Sequence, residues 1–165
     1  MTTTFVAAYT RAHTAAYVSD KMRNLIKILV QHHKLDPTAL MDAWTDWVER
    51  AARTWLESGH LQKFIIEFHR PGTTVASARW DFPIRYDGNG VDEMWIDQQF
   101  MEQSFQKSAA PPPGCIYRIL LLAPGGVAVP GVTTCTFYSL NGLVAREAGT
   151  VITTPDIMAS MTYYR

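Results

Sequence analysis

The chain has 165 residues, of which 47% are hydrophobic and 12% aromatic, with five Trp. That length suits one domain able to bury its own core, and the composition excludes a disordered chain. Fifteen Lys and Arg balance fifteen Asp and Glu with no basic run, which removes the clustered positive charge that nucleic-acid binding requires.

Residues 4 to 33 read as one long helix. Phe5, Tyr9, Ala12 and Ala16 fall at steps of three or four, and the stripe resumes at Val18, Met22, Leu25 and Leu29. With no Gly or Pro inside, it would run roughly 40 Å and serve as a spine. Asp36-Pro37 marks a second helix start, with Asp as cap and Pro at the first helical position. Leu40, Trp44, Trp47, Val48, Ala51 and Trp55 give its buried face, and Ser58-Gly59 its end. The pairs Asp46/Arg50, Glu49/Arg53 and Arg53/Glu57 sit four apart and read as a solvated face.

A β-hairpin follows. Leu61 to His69 puts Phe64, Ile66 and Phe68 on one side, and Pro71-Gly72 turns the chain. From Val75 to Ile84, Ala76, Ala78, Trp80, Phe82 and Ile84 alternate with Ser77, Arg79 and Asp81, so a wet second face is expected. Pro83 cannot donate to a ladder, which predicts an edge near the strand's end. Asp87-Gly88-Asn89-Gly90 is a turn, and Asp92 is the expected cap of a third helix, about Glu93 to Lys107, with Ile96, Phe100 and Met101 inward. Ala110-Pro111-Pro112-Pro113-Gly114 is a stiff linker. Ile116 to Leu122 is apolar on both parities, the pattern of a strand covered on both faces.

To that point the chain reads as a complete helix-on-sheet core, about residues 1–123. From Thr133 to Arg165 it is rich in strand formers, cut by Gly142, Gly149 and Pro155. A β-prone tail on a finished core needs an edge to pair with, and it is the material available to cover the sheet face opposite the helices. Gly125-Gly126 and Pro130-Gly131, where the tail leaves the core, suggest a hinge.

Chemistry is sparse. The P-loop, nucleophile-elbow and His-Glu-x-x-His motifs are missing, so no catalytic residue and no cofactor are expected. Asp87, Asn89 and Asp92 resemble part of a calcium loop, but Val91 and the lack of a Glu at the twelfth position favour a plain turn. His32 and His33 read as cations at a helix C-terminus rather than metal ligands, and His60 and His69 lie at opposite ends of one strand. Cys115 and Cys135 lack Cys-x-x-Cys spacing and read as two buried thiols of a reducing cytosol. Met1 to Phe5 has neither a cationic segment nor an apolar run, so no signal peptide is expected. Ile119 to Val132 is interrupted by Pro and Gly and cannot span a bilayer. A cytoplasmic binding module without membrane contact is expected. The alternatives are a static structural or assembly subunit with a fixed C-terminal strand, and a small-molecule enzyme with a pocket between hairpin and helices.

The order of elements, long helix, second helix, hairpin, third helix, buried strand and strand-rich tail, resembles the HORMA domain. Phe5 and the run His13-Thr14-Ala15-Ala16-Tyr17-Val18-Ser19-Asp20-Lys21-Met22 are similar to the aromatic and His-x-x-x-Tyr-Val-x-x-Lys signature of small bacterial HORMA proteins. The resemblance implies an α+β fold, three helices on a small antiparallel sheet, with a hinge and C-terminal "safety belt" at about residues 124–165. It implies a signalling adaptor that closes its belt around a closure-motif peptide. The closed form then binds and activates a CD-NTase-type cyclic-oligonucleotide synthase in anti-phage defence (CBASS), and an AAA+ remodelling ATPase reopens it. Mapped onto this chain, Ile116–Leu122 would offer its free edge to the peptide. The tail from about Gly131 would cross over and pair again, beside Val75–Ile84. Tyr117, Ile119, Leu121, Phe137, Tyr138, Met161 and Tyr163 would form the enclosing wall. Two features depart from the family pattern. Met1 to Thr3 is a short tail for a remodeller to grip, and the chain ends at Tyr163-Tyr164-Arg165 with no motif after the belt, so the closure peptide is expected from another protein.

Overall fold

The computed structural model describes residues 2–88, 93–108 and 110–165, with side chains from Arg11 onward. The expected spine is present as α1 (Thr2–His32). Its stripe of Ala15, Val18, Met22, Leu25, Ile26, Leu29 and Val30 is fully buried. Phe5 and Tyr9, the first members of that stripe, lie outside the described side chains.

α2 (Thr38–Ala43) runs through a π-helical turn, Trp44–Val48, into α3 (Glu49–Ser58) without a break. The buried residues Leu40, Trp44, Val48, Ala52 and Leu56 recur at steps of four, which drift by about 40° per step on a 3.6-residue helix. The wider π turn takes up part of that drift and keeps the row on the core. The Asp36 carboxylate accepts from the Thr38 N–H at 2.9 Å just ahead of α2, but Pro37 rather than Asp36 occupies the cap position, its carbonyl taking the Met41 N–H. Gly59 ends α3 at φ 78°, where a side chain would be strained.

The strands are β1 (Lys63–His69), β2 (Ala76–Arg85), β3 (Trp95–Ile96), β4 (Ile116–Leu122), β5 (Ala145–Thr153) and β6 (Met158–Tyr164). They form one antiparallel sheet in the order β3-β5-β6-β2-β1-β4. Phe64, Ile66 and Phe68 of β1 and Ala78, Trp80 and Phe82 of β2 share one core with the helices, the assignment that alternation predicted.

Several expectations fail for reasons that lie far along the chain. β2 is an interior strand, not an edge. Pro83 is accommodated because the β2–β6 ladder passes from Asp81–Thr162 to Ile84–Ala159 and skips Phe82 and Pro83. The second face of β2 is not wet, since Arg79 is 7% exposed and Asp81 fully buried. The third helix is shorter, α4 (Gln98–Lys107), and is capped by Asp97, whose carboxylate accepts from the Phe100 N–H at 2.9 Å. Trp95 and Ile96 are drawn instead into pairing with Thr153 and Ile152. Asn89, Gly90, Val91 and Asp92 of the expected turn and cap lie outside the described residues. The core is not complete before the tail, because Val151, Ile152, Ile157, Ala159 and Met161 belong to the same buried cluster as the helices. Burial also overrides the expected charge on His33. Its pKa is lowered to about 4, first by desolvation and then by His32, so the ring is neutral at pH 7. No helix among the described residues is long and apolar enough to cross a membrane.

Candidate functional site

β4 ends the sheet. Its seven residues, Ile116 to Leu122, pair in full register with His69 to Lys63 of β1. No strand among the described residues lies along its other edge. The backbone groups on that edge are a template for one more strand.

The chain leaves β4 at Ala123 and reaches β5 only at Ala145, and β6 then pairs with β2 on the far side of β1. The tail thus joins the sheet beside the strand that the resemblance implied. The crossing segment between β4 and β5 passes over the sheet face turned away from the helices. Val75 and Ser139 form an isolated parallel bridge there, with the Ala76 N–H donating to Ser139 O at 2.8 Å and the Ser139 N–H to Thr74 O at 2.9 Å. Residues 133–138 are β-prone but join no ladder.

This crossing covers charged side chains. The Glu67 carboxylate is fully buried and receives Arg118 Nε at 2.8 Å on Oε1 and the Tyr138 N–H at 3.1 Å on Oε2. Arg118 also donates Nη2 to Thr136 O at 2.6 Å and lies 3.6 Å over the Tyr138 ring. Next to it, Arg79 donates to both Asp81 oxygens at 2.6 and 2.9 Å, and Lys63 reaches Asp81 at 3.1 Å. The Arg79 guanidinium lies between the rings of Phe137, at 4.9 Å, and Tyr164, at 5.0 Å. Burial works against that charge, but the bidentate Asp81 carboxylate together with Tyr164 and Glu67 outweighs it and raises the Arg79 pKa. Two consecutive aromatics of the tail thus rest on two arginines of the sheet.

A groove of about 580 Å³ runs along β4 between the helices and this crossing. Ile119 to Leu122 form its floor, Asp46, Trp47 and Trp55 one side, and Val127, Val129, Val132, Cys135 and Phe137 the other. Asp46 is the one charged residue of a lining that is otherwise apolar or neutral.

Of the seven expected wall residues, Ile119, Leu121 and Phe137 line this groove. Tyr117, Ile119 and Leu121 share the helix-facing side of β4 and pack on the core. Tyr117 is tied down, its hydroxyl donating to Asp36 O at 2.6 Å and accepting from the Leu40 N–H at 3.1 Å, and burial raises its pKa. Phe137 lines the groove, whereas Tyr138 points to Arg118 and His69. Met161 and Tyr163 do not join them. Both sit in the core on β6, with Tyr163 5.1 Å from Trp80, three strand positions or about 14 Å from β4. Sequence reasoning missed Trp47 and Trp55 as groove walls, and it missed Glu67, whose one signal was a lone acid inside an apolar strand. Cys115 is buried as expected, but Cys135 is exposed on the crossing. No cluster of potential metal ligands occurs among the described residues.

The sequence matches the family model for bacterial HORMA domain 2 over residues 1–165. A chain in a crystal structure of the mitotic checkpoint complex superposes with a TM-score of 0.71 at 11% identity, covering 92% of this chain and 97% of that one. C. elegans HTP-1 bound to the HIM-3 closure motif gives 0.53 at 16% identity, covering 95% and 86%. A chain of an E. coli MS115-1 HORMA:CdnC:Trip13 complex gives 0.53 at 12% identity, covering 96% and 89%. No curated protein matches the chain by sequence.

Proposed function

Because this chain belongs to the bacterial HORMA domain 2 family, we propose that it is a cytoplasmic peptide-binding adaptor whose C-terminal belt encloses a closure-motif peptide supplied by another protein. The carrying observation is the unpaired edge of β4 facing an apolar groove, while the tail is already paired with β2 on the far side. A peptide adding a strand to β4 gains backbone hydrogen bonds, and alternate side chains enter the groove or face the crossing. Tyr117, Ile119, Leu121, Phe137 and Tyr138 contribute to the enclosing wall. Met161 and Tyr163 act at one remove, by holding β6 on β2. Likeness to a HORMA chain assembled with CdnC, a CD-NTase, and Trip13, an AAA+ ATPase, supports the same two partner classes here. The closed form then activates the synthase for anti-phage signalling and performs no catalysis itself.

The static-subunit reading has one observation in its favour, the seven belt residues built into the core, Val129, Val151, Ile152, Ile157, Ala159, Met161 and Tyr163. Selection of extended peptides on the purified chain separates the two. Trp47 and Trp55 line the groove, so their fluorescence should shift on binding, and dissociation should be slow because the belt must unpair. Product formation by a co-encoded synthase should then rise with peptide present. A chain that selects no peptide, with belt amides as protected as those of α1, is a static subunit.

A further inference from the structure

We propose that Glu67 is a positioning residue that, together with Arg118, latches the crossing segment to β4 and couples peptide retention to belt closure; the coupling rests on the peptide-binding reading, the latch itself does not. Glu67 and Arg118 stand opposite each other on neighbouring strands, so their ion pair needs only the sheet. What the pair does beyond that depends on the tail. The second oxygen of Glu67 takes the Tyr138 N–H, and the guanidinium donates to Thr136 O. Both partners are backbone groups two residues apart, and they are present only when residues 136–138 lie across the sheet. With the belt lifted, the carboxylate exchanges the Tyr138 N–H for water, and Arg118 exchanges the Thr136 carbonyl and the face of the Tyr138 ring for water. Hydrogen bonds to charged groups keep a net advantage over that exchange, which favours the closed crossing. Arg118 lies on the strand whose outer edge is free, so anything paired there shares a strand with one arm of the latch.

The test is residue-resolved hydrogen exchange on the full chain without peptide. In Glu67→Gln the side chain offers one carbonyl oxygen and one amino group, so either Arg118 or Tyr138 meets a donor in place of an acceptor. The Tyr138 amide should then exchange about ten- to hundredfold faster, while β5 and β6 amides in the ladder keep their protection. Unchanged Tyr138 protection both here and in the paired replacement of Glu67 and Arg118 by Met, which leaves no oxygen for the Tyr138 N–H to keep, overturns the latch. Should Glu67→Gln fail to fold, the paired replacement of Glu67 and Arg118 by Met leaves no unmatched charge and still removes the acceptor of the Tyr138 N–H. Faster Tyr138 exchange in that protein supports the latch, and unchanged exchange overturns it. With a peptide selected on the parent chain, the variant should release it about tenfold faster or more at an unchanged association rate. Equal release despite a loosened Tyr138 overturns the coupling. Absence of any binding peptide instead defeats the adaptor reading, and Tyr138 exchange still decides the latch.

Discussion

Arg50 on α3 donates Nη2 to the carbonyl oxygen of Pro130 at 3.1 Å. Its Nη1 holds the Asp46 carbonyl at 3.0 Å, not the Asp46 carboxylate that helical spacing suggested. The helix stack therefore grips the chain where the crossing begins. Replacing Arg50 by Ala should free that end. An exposed hydrogen bond of this kind is worth at most about 0.5–1.5 kcal/mol, so limited proteolysis across residues 127–135 should quicken about two- to tenfold, with the global melting temperature nearly unchanged. Equal cleavage rates would show that the contact holds nothing.

Tyr117 joins β4 to the start of α2 through one hydroxyl with two backbone partners. Tyr117→Phe keeps the ring on Phe68 and leaves the Leu40 N–H without that acceptor. The expected loss is about 1–2 kcal/mol by urea denaturation, together with faster exchange at Leu40. A variant as stable as the parent would mean that water replaces the hydroxyl at no cost.

Gly88 faces the β5–β6 turn so closely that a Cβ there would overlap the Pro155 carbonyl. Gly88→Ala should push the turn away from the core. Overpacking of this kind costs about 1–3 kcal/mol, which should lower the melting temperature by about 2–12 °C in a chain of this size. Gly125→Ala is the control, since nothing lies within 4 Å of its Cβ position.

Local periodicity carried the fold a long way. α1 and the β1–β2 hairpin follow from steps of four and of two, and the bounds of β4 from an unbroken apolar run. Periodicity reports which side chains share a face, but not whether a distant segment will cover that face. Arg79 and Asp81 therefore read as wet, Arg50 as a solvated partner of Asp46, and Pro83 as an edge marker. In each case the deciding partner arrives about 60 to 85 residues later, from the crossing or from β6. The candidate site was half legible for the same reason. β4 announced itself by its apolar run. Met161 and Tyr163 looked like wall residues because strand propensity says nothing about which edge a strand will join.

His33 ties stability to pH in a direction opposite to that expected of a helix-terminal cation. Its ring stands edge-on to Phe68 at 5.2 Å, and Nε2 has no hydrogen-bond partner. Burial, and then the charge of His32, lowers its pKa from 6.5 to about 4. Between those values the unfolded chain takes up a proton that the folded chain refuses. Folding free energy is then lost as pH falls from 6.5 toward 4, and His33 adds no slope above or below that window. The urea midpoint of the parent should therefore drop on acidification from pH 7 to 4.5 more steeply than that of His33→Phe, which keeps an aromatic ring against Phe68 without a titrating group. Parallel profiles for the two proteins would place the acid sensitivity elsewhere. A steeper one for the variant would mean that the His33 cation stabilises the fold after all, as the helix dipole alone would have it.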